Sequence, residues 1–151
     1  MRHPAALLAA ALLLTACVPA PKSDAPRAIH TPTRGNLVVP DATIPGQFEV
    51  FAGPGDGPGD FWCAAAEYAE RQLRALPNRR LYVVKPRGRS DADPRRTSVV
   101  FTIQPDADLQ EAAQTPRGDD LSMQVDRVGS NFSMAHGRIS CRPVFQWPWD
   151  G

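Results

Sequence analysis

One segment limits the folds open to this chain more than any other. In residues 61–76, Trp62, Ala65, Ala66, Ala69, Leu73 and Leu76 recur at the helical period, and Glu67, Glu70, Arg71 and Arg74 fall opposite. Both ends of this helix are marked. Upstream, Gly53-Pro54-Gly55-Asp56 repeats at once as Gly57-Pro58-Gly59-Asp60, a tandem that neither helix nor strand accommodates. It is expected as a loop, with Asp60 capping the helix that follows. Downstream, Pro77 stops it. Beyond Pro77 the apolar period changes from 3.6 to 2, so residues 81–85, 98–103, 121–127 and 132–141 are expected as strands. The third is the cleanest, with Leu121, Met123 and Val125 alternating against Ser122, Gln124 and Asp126. In the fourth, Phe132 and Met134 share one parity while Ile139 and Cys141 have the other, which predicts a bulge near His136-Gly137. Before the helix, Phe48 and Val50 alternate with Glu49 and Phe51 in a short first strand.

These elements add up to an α+β domain, one helix packed on a four- to five-stranded antiparallel sheet. The order β-α-β-β-β-β is similar to the cystatin-like arrangement, in which a curved sheet wraps one long helix. That resemblance implies a fold alone. The loop with which cystatins plug proteases corresponds to residues 86–97, and their Gln-x-Val-x-Gly signature is absent there. Through Phe61-Trp62-Cys63-Ala64-Ala65-Ala66-Glu67-Tyr68-Ala69 and Val100-Phe101-Thr102 the domain also looks like uncharacterised small lipoproteins of alphaproteobacteria, a likeness that implies no activity.

The N-terminus reads as an address. Arg2 precedes an unbroken Ala/Leu run over residues 5–14, too short for a span, which needs about 20 apolar residues. The run ends in Leu14-Thr15-Ala16-Cys17, which resembles the lipobox of bacterial lipoproteins. The resemblance implies cleavage before Cys17, lipid on its sulfur, and a membrane as the first partner. Small residues at 15 and 16 suit a peptidase that binds the backbone extended. Val18 in place of aspartate after the cysteine implies an outer-membrane anchor facing the periplasm. The chain is accordingly expected to divide into a signal peptide (1–16), a lipidated Pro-rich tether (17–46), a single α+β domain (47–142) and an aromatic tail (143–151). Within the tether, residues 37–39 are a candidate edge strand and His30 is expected to be solvated.

Outside the leader, Cys63 and Cys141 remain besides Cys17. In an oxidising compartment an even pair predicts one disulfide, and the alternative is two unpaired buried thiols. No C-x-x-C spacing occurs, and His136 is the one histidine outside the leader and tether, so neither metal nor cofactor is expected. Lys and Arg number 17 against 16 Asp and Glu, a balance that argues against nucleic acid as a partner.

Four features bear on chemistry. His136 lies near Ser133 and Ser140, but odd strand offsets would put those hydroxyls on the other face, and no Gly-x-Ser-x-Gly elbow exists. Asp106, Asp108, Glu111, Asp119 and Asp120 are expected in a solvated acidic loop, because their spacing matches no calcium cage. Arg79, Arg80, Lys85, Arg87, Arg89, Arg95 and Arg96 gather at the ends of the first hairpin after the helix, with Asp91 and Asp93 offsetting them. Guanidinium forks there suit phosphate or carboxylate, which makes Arg87, Arg89, Arg95 and Arg96 the candidate contact for an anionic partner. In the tail, Phe145, Trp147 and Trp149 either fold back over the domain or contact a partner. The expected function is non-enzymatic, an envelope lipoprotein that binds a macromolecular partner. The alternatives are an inhibitor of a protease or lysozyme, and an envelope hydrolase relying on His136 or on Asp106 and Asp108.

Overall fold

The computed structural model describes residues 26–115 and 122–141. Cys17, Leu121 and the aromatic residues Phe145, Trp147 and Trp149 lie outside them. The fold is α+β, with six strands and three helices. In chain order these are β1 (Ile29–His30), β2 (Leu37–Pro40), β3 (Gln47–Phe51), α1 (Pro58–Leu73), β4 (Arg80–Arg89), β5 (Thr97–Thr102), α2 (Ala107–Gln114), β6 (Asn131–Ser133) and α3 (Met134–Ile139). The strands form one antiparallel sheet in the order β1-β2-β3-β5-β4-β6.

The centre of the sheet follows from alternation. Phe48 pairs with Phe101 and Val50 with Val99, and all four are fully buried together with Leu81 and Val83 on β4. The intervening residues, Glu49, Val100 and Tyr82, turn to the other face and stay half-buried. Against the buried face lies α1. Trp62 meets Phe101 edge-on at 5.0 Å and Tyr68 meets Phe48 at 4.7 Å, aromatic geometry favoured by the ring quadrupoles.

The helix starts and stops a little earlier than its periodicity suggests. Gly57 is its N-cap and Pro58 its first residue, where a missing N–H costs nothing. Asp60 is therefore not the cap. It sits in the first turn and accepts the Gly57 N–H at 2.9 Å, as Asp56 accepts the Gly53 N–H in the first copy of the tandem. The two copies share this Asp-to-Gly bond although the first is a loop turn with Gly55 at φ 77° and the second opens α1, and Arg34 bridges both carboxylates. At the other end Arg74 adopts the left-handed conformation, φ 53°, and closes the helix before Pro77 is reached.

Two expected strands are corrected. Residues 122–127 keep their alternation, with Val125 buried and Ser122, Gln124 and Asp126 exposed, but they form no ladder. Their neighbour β4 shifts register between Val83 and Lys85 and again between Lys85 and Gly88, which interrupts the row of donors. Among the bonds that hold the segment, Arg87 N–H donates to Val125 O at 2.8 Å and the Trp62 indole donates to Met123 O and Gln124 O. In the final segment the parity change marks a helix, not a bulge. Strand β6 ends at Ser133, whose hydroxyl accepts the His136 N–H and starts α3. Gly137 permits α3 to lie on α1, because a Cβ there would come within 3.0 Å of Ala66 Cβ and Trp62 O.

Two further segments depart from expectation. Residues 37–39, the candidate edge strand, do form a strand, β2, but β1 lies outside it and Val38 is fully buried in the core, so the packed body takes in residues 29–40 of the expected tether. The acidic stretch after β5 is helical: Asp106 Oδ1 accepts the Leu109 N–H at 2.8 Å, and Leu109 is buried. Asp106 thus acts as a cap, and Asp108 lies exposed in the first turn.

Candidate functional site

The hairpin joining β4 to β5 is built to hold its tip still. Ser90, nearly fully buried, accepts backbone N–H groups of Ala92 and Asp93 on its hydroxyl, each at 3.1 Å. Its own N–H donates to Arg96 O at 3.0 Å, and Arg96 N–H donates to Asp93 O at 2.9 Å. On this frame the charged side chains divide into two groups. Lys85 pairs with Asp91 at 2.6 Å and Arg95 with Asp93 at 3.0 Å. Arg95 beside it holds the Asp93 carboxyl below its ordinary range, with Arg96 adding a weaker pull. These two pairs neutralise the acids of the hairpin.

Arg87, Arg89 and Arg96 make no ion pair among the described residues. Two of them lie on aromatic rings instead. The Arg87 guanidinium carbon sits 5.3 Å from the centroid of Phe61, and that of Arg96 sits 4.1 Å from the centroid of Phe51. Both rings are buried, so each guanidinium lids an edge of the core; Arg87 is exposed and Arg96 half-buried. A stacked guanidinium has less rotamer freedom to lose on meeting a phosphate or carboxylate. Of the four arginines singled out by sequence, Arg87 and Arg96 are thus pre-positioned, Arg89 is exposed, and Arg95 is engaged with Asp93.

The expected disulfide joins Cys63 to Cys141, with Cα atoms 4.8 Å apart, across 78 residues of chain. Closing a loop of that length contributes about 4 kcal/mol in the chain-entropy model. Next to it lies a polar cluster that sequence pattern did not announce. Glu67 is 1 % exposed, accepts from the Thr33 hydroxyl and N–H, and pairs with Arg138 at 2.6 Å. Burial pushes this carboxyl up, but the Thr33 and Arg138 bonds together outweigh it and hold it below its ordinary range. Arg138 also reaches Glu70 at 3.4 Å and Cys141 Sγ at 3.5 Å. Glu67 has the two sulfurs for neighbours, but they are bonded to each other, which leaves no thiolate to ligate a metal.

Of the groups named for a hydrolase, Ser133, Ser140 and Asp106 have partners within the fold, whereas His136 and Asp108 are exposed. The His136 ring is exposed and stacks on Phe132 at 4.8 Å. The Ser133 hydroxyl serves the backbone of α3, and the Ser140 hydroxyl donates to Met123 Sδ. Asp106 is committed to its helix. No helix among the described residues is long and apolar enough to cross a membrane. Comparison with protein-family models, curated proteins and solved structures finds no match to this chain.

Proposed function

We propose that this chain is a lipid-anchored envelope protein, held by acylated Cys17, whose domain docks an anionic macromolecule on the β4–β5 hairpin. The observation that carries this reading is the stacking of Arg87 on Phe61 and of Arg96 on Phe51, with both guanidiniums free of internal carboxylates among the described residues. In the envelope the matching groups are phosphates of lipid or lipopolysaccharide, wall polymers and acidic protein surfaces. The disulfide fits an extracytoplasmic address, since such bonds persist where thiols are not kept reduced. The role is binding, without turnover. The outer membrane, periplasmic side, is the proposed location.

Affinity capture from detergent-solubilised envelope tests this, using the wild-type chain and an Arg87→Ser, Arg89→Ser, Arg96→Ser variant. The variant is expected to lose the captured macromolecule at moderate salt. Identical capture by both would remove the hairpin as the docking surface. Mass spectrometry of native material tests the anchor: a mature chain starting at diacylated Cys17 is expected, and a bare thiol at that position would overturn it.

A further inference from the structure

A second cationic site lies away from the hairpin, where the C-terminal end of α1 meets the start of β4 and the turn after β5. A cleft of about 890 Å³ opens there, within the size range of small-molecule sites. Arg74, Arg79 and Arg80 line it, and Leu76, Tyr82 and Ile103 supply apolar wall. Among the described residues none that lines it is acidic. Asp106, next to it in sequence, has its carboxylate turned to the Leu109 N–H.

The segment carrying these arginines is fixed. Ala75 N–H donates to Ala69 O, Arg79 N–H to Leu76 O, Met134 N–H to Arg79 O and Ala135 N–H to Pro77 O, all within 3.0 Å. The Arg80 guanidinium is oriented by Asn131, with Nε donating to Oδ1 at 2.6 Å and Nη2 to the backbone oxygen at 3.2 Å. Arg74 occupies a left-handed position that glycine would fill at lower cost, and it projects a cation there. Leu76 is 68 % exposed, an apolar side chain presented to solvent beside three charges of one sign.

From this juxtaposition we infer that the cleft binds an amphiphile with an anionic head, the guanidiniums taking the head and Leu76, Tyr82 and Ile103 taking the first part of the chain. The shared chemistry is a carboxylate or phosphate on an alkyl tail, as in a fatty acid or a lysophospholipid fragment. The inference does not depend on the docking surface proposed above, since Arg87, Arg89 and Arg96 do not line this cleft.

Heteronuclear NMR on the full chain carrying Cys17→Ser, titrated below micelle concentrations, tests the inference and separates the two sources. Octanoate and octyl phosphate are the two probes, with octanol and acetate as controls. Saturable shifts are expected at residues 74–82 and 103–105 with at least one anionic probe, and the tighter of the two names the head. Arg74→Gly with Arg79→Ser should weaken that probe about tenfold, the effect of losing charge-assisted bonds, while Arg79→Lys keeps part of the affinity. Both substitutions are at exposed positions, and an unchanged amide spectrum elsewhere shows the fold intact. Octanol binding as tightly as the anions, no saturable shift with either anion, or an unaltered affinity in the double variant would each overturn the inference.

Discussion

At the seam between α1 and α3, Arg138 reaches inward to Glu67 and Glu70, whereas on the β4–β5 hairpin Arg87 and Arg96 lie on the rings of Phe61 and Phe51. The side-chain type is the same, but its partners differ in kind. In the seam the charge has a buried carboxylate to answer it, and the interaction is consumed within the fold. On the hairpin the partner is a neutral ring, so the cation is held in place and its charge remains unanswered. An arginine satisfied internally reports on stability. One that is positioned but unpaired reports on what the surface meets.

This contrast predicts a graded set of losses. Breaking the seam covalently, with Cys63→Ser and Cys141→Ser together, should lower unfolding free energy by about 4 kcal/mol in urea titration. Arg138→Ser should follow, at about 2–3 kcal/mol, because it leaves the Glu67 carboxylate buried with Thr33 alone; the partial exposure of Arg138 keeps the figure below that for a fully enclosed pair. The same pair sets an acid dependence. Glu67 is held below its ordinary value of 4.5 in the folded chain, so its contribution is fully present above that value and is lost as pH falls through the lower folded one. Glu67→Gln should therefore lose its stability deficit relative to wild type as melting temperatures are followed downward from pH 5. At the hairpin, by contrast, Arg87→Ser and Arg96→Ser, made singly, should each cost only about 0.5–1 kcal/mol, the worth of an exposed cation over a ring. A loss in either single variant as large as that of Arg138→Ser would erase the distinction between the two regions.

The two regions also differ in how far the sequence reveals them. Local period was sufficient for β3, β4, β5 and α1, because Phe48, Val50, Val99, Phe101 and Trp62 each take their face from their own segment. The pairing of Cys63 with Cys141 was legible from the even cysteine count left once Cys17 is set aside, on the expectation of an oxidising compartment. The cluster around Glu67 was not, since Thr33, Glu67 and Arg138 come from three distant segments and a helical wheel places Glu67 on the polar side. The helix proves buried over all of residues 61–69, enclosed by the sheet on one side and by α3 with the 31–36 turn on the other. The signal was present in Ala64-Ala65-Ala66, small residues on every face of a turn, and in Gly137, which lets a second helix approach. Residues 122–127 misled for the opposite reason. Their alternation is real, but a strand also needs a neighbour with donors in register, and the adjoining β4 is irregular, shifting register twice against β5. For the candidate site, the cluster of arginines was legible and its sorting was not, because stacking on Phe51 and Phe61 depends on the fold.

Replacing Arg87 and Arg96 by lysine isolates what stacking contributes, since formal charge is unchanged while the planar fork is lost. In affinity capture from solubilised envelope at fixed salt, the Arg87→Lys, Arg96→Lys chain should retain far less of the wild-type partner, close to the level of the serine variant. Full retention by the lysine chain would contradict the account, because charge alone would then suffice and the geometry of the two guanidiniums would be incidental.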